Sequence, residues 1–292
     1  MDLGLSLGAF HDFTLDEALE ICRRLADRFH LTAVEINLQA RPGPDMDWLR
    51  DVPEDKLRTF AAPFRHRGAH LPFVDLNLIS TNTGIRDESL RQTQRAIEVA
   101  GRMGLTYVVV HASGFRPSFP WEKERPLWLD IFRQVGEWSG ANGMVLCIEN
   151  GARLVRLDRL LEIIEALDAD RTRLCIDVGH AYQRLWGPRS IAARILPRLD
   201  RIWNGAFRIE KFMPFERYGS LAAFVREAGP WIHHFHLHDR KGQTDHIGLG
   251  EGAIDLEPLA PHLAEKPVIL EIPRTSEEAF AKQIERALEL VS

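Results

Sequence analysis

Eight short apolar runs divide this chain, and a helix-forming stretch follows nearly every one. The runs cover residues 3–7, 33–37, 68–73, 107–111, 144–149, 173–177, 232–239 and 267–271. Strand then helix, repeated eight times, predicts an α/β fold, a (β/α)8 TIM barrel whose active site lies at the C-terminal ends of the strands. Seven of the eight runs stop on or beside a residue that can bind a metal or carry a proton: Glu35, His70, His111, Glu149, Asp177, His236 and Glu271. On a closed barrel, such residues converge on one face and form a single pocket.

The 292 residues suffice for one barrel, and no Ser/Gly-rich linker divides them, so residues 1–292 read as one domain. A formal net charge of −5 gives no global field favouring a polyanion. Met1-Asp2-Leu3-Gly4 lacks the basic region and long apolar core of a signal peptide. No apolar run approaches the ~20 residues of a membrane helix. Cys22, Cys147 and Cys175 show no metal or disulfide spacing and read as buried reduced thiols. A cytoplasmic protein is expected.

Apolar spacing and caps predict helices over 15–25, 53–65, 85–103, 125–139, 157–167, 255–263 and 276–290. Thr14 to Glu17 has the form of a capped start. Gly68, Gly104 and Gly143 stand where a helix should stop before a strand. One connection is unusual: roughly fifty residues separate the sixth and seventh runs, far more than a plain helix needs. Trp186, Trp203, Phe212 and Phe215 lie among its turn formers. Residues 181–231 are expected to form an enlarged loop, either a lid over the pocket or a contact with a second copy in a homo-oligomer.

Glu149, Asp177, His236 and Glu271 end the fifth to eighth runs. Three carboxylates and one imidazole suit Mn²⁺, Mg²⁺, Co²⁺ or Zn²⁺, and without a cation the carboxylates would repel one another. His70, His111, His180 and His246 form a second set, able to hold further ions or orient sugar hydroxyls. One of His233 and His234 should face the outer helices. Glu35 reads equally as a buried ion-pair partner or a catalytic group.

The motifs Gly-Ala-His70-Leu-Pro-Phe, Val-Val-Val-His111, Cys-Ile-Glu149-Asn150, Cys-Ile-Asp177-Val-Gly-His180, Phe-His236-Leu-His-Asp239, Asp245-His246-Ile-Gly-Leu-Gly250-Glu-Gly252 and Leu-Glu271 resemble the xylose isomerase-like barrel superfamily over nearly the whole chain. That superfamily holds sugar isomerases, ketose 3-epimerases, inosose-processing enzymes and the endonuclease IV (AP endonuclease family 2) nucleases. The resemblance to the epimerases implies one divalent metal on Glu149, Asp177, His236 and Glu271, with the two glutamates facing each other across the substrate. The resemblance to the nucleases implies three zinc ions, which also use His70, His111, His180 and His246. An Asp of the nuclease pattern is Thr244 here, with Asp245 displaced by one, and the nuclease's Gly-rich opening is replaced by Leu5-Ser6-Leu7-Gly8-Ala9-Phe10.

Two functions follow. The first is a metal-dependent isomerase or epimerase of a sugar, sugar phosphate or polyol. Glu149 and Glu271 would move a proton at carbon through an enediolate, and His180 with Arg240 or Lys241 would bind hydroxyl or phosphate groups. The alternative is a zinc phosphodiesterase acting on apurinic DNA, for which Arg41 and Arg116 offer thin basic provision at the strand ends.

Overall fold

The structure is a computed structural model that describes residues 1–39, 52–111, 121–151, 157–186, 220–242, 244–273 and 275–292. Eight parallel strands close into a barrel. In chain order they are β1 (Leu3–Ser6), β2 (Ala33–Asn37), β3 (His66–His70), β4 (Tyr107–His111), β5 (Val145–Glu149), β6 (Thr172–Asp177), β7 (Ile232–Leu237) and, after a two-stranded hairpin of β8 (Asp239–Lys241) and β9 (Thr244–Ile247), β10 (Val268–Leu270). The helices are α1 (Leu15–Phe29), α2 (Glu54–Ala61), α3 (Thr83–Arg102), α4 (Trp121–Ala141), α5 (Leu157–Ile164), α6 (Val178–Trp186), α7 (Leu221–Ala228), α8 (Ala260–Glu265) and α9 (Glu277–Leu290).

Strand alternation separates two cores. Val108 and Val110 of β4 join the main cluster between strands and helices, whereas Tyr107 and Val109 pack with Cys147 and Cys175 inside the barrel. The helices bury the stripes their spacing predicts. In α1 these are Ala18, Leu19, Ile21, Cys22 and Leu25, behind a complete Thr14–Glu17 capping box. All three cysteines are free and buried.

Several boundaries differ from expectation. Leu7 opens a 3₁₀ turn, Leu7–Phe10, rather than ending β1. Gly104 and Gly143 stop their helices at positive φ, 70° and 74°, but Gly68 lies within β3. A Cβ there would come 2.2 Å from the Tyr107 ring, so this glycine makes room for Tyr107. The seventh strand stops at Leu237, because Asp239 turns into the hairpin. Of the stretch 181–231, α6 occupies the start and α7 the end. Trp203, Phe212 and Phe215, and with them the lid or interface, lie outside the described residues, as does the side chain of Trp186.

The β6–β7 register shifts between Leu174 and Cys175, which pair with Ile232 and His234. That irregularity overturns the expectation for the His233–His234 pair. Neither the sheet's alternation nor the helices separate them, and both rings lie 4.7 Å from the Tyr107 ring. No helix among the described residues is long and apolar enough to cross a membrane.

Candidate active site at the strand C-termini

Glu149 is the centre of the cluster of titratable side chains at the strand ends. It ends β5, is fully buried, and pairs in register with His111 of β4 and Cys175 of β6. Three imidazoles surround it. His111 Nε2 lies 2.7 Å and His70 Nε2 3.3 Å from its Oε2, while His180 Nδ1 lies 3.2 Å from its Oε1. The His70 ring is fixed from behind, since its Nδ1–H reaches the Leu71 carbonyl at 2.9 Å. Burial opposes the Glu149 charge, yet His111, His180 and His70 hold its carboxyl well below the usual range. Burial likewise opposes protonation of His70 and His180. Glu149 overcomes it for His70, raised to about 8, and Asp177 with Glu149 for His180, raised to about 10.

His236 connects the other side. Its Nδ1 lies 3.7 Å from Glu149 Oε2 and 3.1 Å from Glu271 Oε2. Glu271 follows β10, and its backbone N–H reaches the Leu237 carbonyl at 3.2 Å, which seats it beside β7. Its carboxyl is lowered to about 2, because His236 outweighs the burial that would raise it.

Asp177 carries two duties already. Its Oδ1 accepts from the His180 backbone N–H at 2.6 Å and so caps α6. Its Oδ2 lies 2.9 Å from His238 Nε2 and 3.7 Å from His180 Nδ1. The strand end is held by a reciprocal pair with Asn150, which accepts from Asp177 N at 2.6 Å and donates to its carbonyl at 2.8 Å. A Cβ at Gly179 would come 2.1 Å from the His238 ring, so this helix start needs glycine.

The hairpin closes the third side. His246 sits at positive φ, 53°, and its Nδ1–H reaches the Glu271 carbonyl at 3.1 Å. Asp245 pairs with Arg240 and stands 3.8 Å from His180 Nε2 and 3.5 Å from His238 Nδ1. Arg240 is buried, with Nε on the Gly242 carbonyl at 3.1 Å and Nη1 on Asp245, so it braces the hairpin. Asp239 anchors the hairpin's base, accepting backbone N–H groups of Arg240, Gly250, Gly252 and Ile254 at 2.7–3.1 Å.

The residues fit a divalent cation. Glu149 Oε1, His180 Nδ1 and His236 Nδ1 are buried and lack hydrogen-bond partners, although they lie within ion-pair reach of one another or of Glu271. Ligand atoms of His70, His111 and Glu149 lie within 4.8 Å of one another; so do those of Asp177, His238 and His246, and of His180, Asp245 and His246. The four expected ligands divide: Glu149, His236 and Glu271 converge directly, and Asp177 joins them through His180. His238 had no role in the sequence reading. Its spacing of two from His236 in one apolar run of the sequence is the signal that finds it.

A family model described as xylose isomerase-like TIM barrel matches residues 24–290. The chain belongs to that family. One curated relative is an uncharacterized protein, MJ1311, of Methanocaldococcus jannaschii, 27% identical over 196 residues. That match takes in 64% of this chain and 56% of the relative, so the chain spans about half the length of the curated relative it matches. A D-tagatose 3-epimerase-like protein superposes at TM-score 0.67 with 22% identity, over 100% of this chain and 98% of the other. The IolI protein with a bound zinc atom superposes at 0.70 with 18% identity, also over 100% and 98%. At these identities the likeness of this xylose isomerase-like chain to the two structures is one of fold.

Proposed function

We propose that this chain is a divalent-metal-dependent isomerase or epimerase of a sugar, sugar phosphate or polyol. The reading rests on one observation: Glu149 and Glu271 both lie within ion-pair reach of the same nitrogen of His236, 3.7 and 3.1 Å away. Two carboxylates that share one imidazole can flank a single small substrate. The 3-epimerase-like protein of the same fold supports the substrate class, and the zinc in IolI supports the metal.

Glu149, His236, Glu271 and Asp177 would hold the ion. When bound, it supplies Lewis-acid polarisation of a substrate oxygen. The remaining work belongs to the protein. Glu271 is the freer base, because its side chain is 19% exposed against 1% for Glu149 and meets one imidazole rather than four. It removes the proton next to the carbonyl. Glu149 faces the opposite side of that carbon; a proton passed to it from His70 Nε2, 3.3 Å away, is returned to the carbon and completes inversion. His180 reaches towards substrate hydroxyls from the start of α6.

Deuterium uptake from solvent into a panel of ketoses, aldoses and keto-polyols, followed by NMR, tests the reading. Uptake that disappears on chelation is the expected result. No uptake from any sugar, with metal-dependent cleavage of apurinic DNA, sinks it.

One observation favours the zinc phosphodiesterase as a second reading. His180, Asp245 and His246 bring ligand atoms together despite the displaced aspartate, as do His70, His111 and Glu149. Metal content separates the two: one ion per chain for the isomerase, three for the phosphodiesterase. Arg41 and Arg116 lie outside the described residues.

A further inference from the structure

One carboxylate beneath the pocket has no task in the isomerase reading. Glu35 of β2 is fully buried. It pairs in register with Gly68, whereas His70 pairs with Asn37, so Glu35 lies one side-chain layer deeper than His70. Its ion pairs among the described residues are both with histidines of β7. His236 Nε2 stands 3.2 Å from each carboxylate oxygen, and His234 Nε2 stands 3.5 Å from Oε2.

His236 therefore bridges two levels of the barrel. Its Nε2 points down to Glu35, and its Nδ1 points up to Glu271 and Glu149. The upper nitrogen is buried and has no hydrogen-bond partner. An imidazole that ligates a cation must offer a lone pair at one nitrogen and keep its proton on the other. The group facing that other nitrogen decides which is which. Cys175 and His234 also bring ligand atoms near His236, but a thiol is a weak acceptor beside a carboxylate, and His234 turns its own Nε2 to Glu35.

We propose that Glu35 is a positioning residue: it accepts the Nε2–H of His236 and so presents Nδ1 as a bare lone pair to the divalent ion. The assignment rests on the metal reading above. Glu35 touches neither substrate nor ion. It acts through the ring, by fixing its tautomer and its rotation and by making Nδ1 a stronger donor.

The test loads ¹⁵N-histidine-labelled protein with Zn²⁺ and reads long-range proton–nitrogen correlations. The ring assigned to His236, by signals missing in His236→Gln, is expected to carry its proton on Nε2 and the ion on Nδ1. The reverse arrangement overturns the proposal. Glu35→Leu is expected to weaken Zn²⁺ binding by ~10–100-fold and to shift the visible spectrum of the Co²⁺ form at saturation. Glu35→Gln, whose amide oxygen still accepts, is expected to restore the Co²⁺ spectrum and most of the affinity. If Glu35→Leu keeps wild-type affinity and a wild-type Co²⁺ spectrum while only its melting temperature falls, Glu35 is a packing residue and the proposal is wrong. Should that variant not fold, the ring proton and Glu35→Gln decide. Wild-type protein that takes up no Zn²⁺ sinks the metal reading and this inference together, whereas uptake through Nε2 of His236 sinks this inference alone.

Discussion

The two glutamates that flank His236 stand on sides of the pocket built in different ways. Around Glu149, three imidazoles from β3, β4 and α6 close on a side chain that is 1% exposed. Around Glu271, His236 is the one imidazole at ion-pair distance among the described residues, and the side chain is 19% exposed. A carboxylate wrapped by several donors keeps its charge and its place. A carboxylate with one donor and access to the mouth can turn towards a substrate and exchange a proton. The first side is built to hold and the second to move.

Substituting the two glutamates tests that division most severely. Glu149→Ala removes the anion shared by His70, His111 and His180, and breaking a buried pair in this way costs about 3–5 kcal/mol. Metal retention and activity should both vanish, and full metal occupancy by elemental analysis would count against the assignment. Glu271→Gln should keep most of the metal and lower turnover by ~10²–10⁴-fold, the range for loss of a general base. If Glu271→Gln loses its metal as completely as Glu149→Ala, both sides hold and the contrast is false.

The same contrast shows what could be read in the sequence. The barrel and the residues at its strand ends were legible, because alternation and strand stops are local patterns. Glu149, His236 and Glu271 meet as those stops imply. The roles on the crowded side were not legible. Asp177 was read as a ligand, and its further duty as a helix cap was not legible, because only the backbone direction at Val178 reveals that α6 starts at once. Arg240 was read as a group for substrate hydroxyls or phosphate, and its pairing with Asp245 was the part the sequence did not show. It faces Asp245 because β8 and β9 form a hairpin, whose turn at Gly242 carries no strong periodic signal. The His233–His234 pair escaped alternation because one register shift lies across from it.

Stability against pH should differ between the metal-free and loaded forms, with a smaller effect than either glutamate substitution. In the metal-free protein, His70 and His180 have raised values, about 8 and about 10. A group raised on folding stabilises fully below its unfolded value and loses that contribution as pH rises through its folded value. The metal-free melting temperature should therefore fall between about pH 6.5 and 10. His70 alone accounts for about 2 kcal/mol at ~1.4 kcal/mol per unit. The lowered carboxyls act in the opposite sense: Glu271 contributes above about pH 4.5 and loses that contribution as pH falls towards about 2. A bound divalent ion replaces the imidazole protons, so the loaded protein should melt at a nearly constant temperature over pH 6.5–10. Parallel melting curves for the two forms would show that the imidazoles around Glu149 are not its counter-ions.

The smallest effect is expected at Asp245, on the hairpin side. Asp245 is held by Arg240 and stands 3.8 Å from His180 and 3.5 Å from His238. If one ion is held between Glu149, His236 and Glu271, Asp245 is a brace for the histidines and lies off the path of the proton. Asp245→Asn keeps an oxygen for Arg240 and loses the charge; a hydrogen bond to a charged group is worth about 1.5–3 kcal/mol in all, and only part of that is lost here. Turnover on a sugar should fall less than ~10-fold, a loss that ~1.4 kcal/mol would produce, and metal content should remain one ion per chain. If His180, Asp245 and His246 hold an ion of their own, the same substitution removes that ion from the elemental count and lowers phosphodiester cleavage far more than sugar turnover. The hairpin would then be a second holding region, and the opposition between Glu149 and Glu271 would describe only part of the pocket.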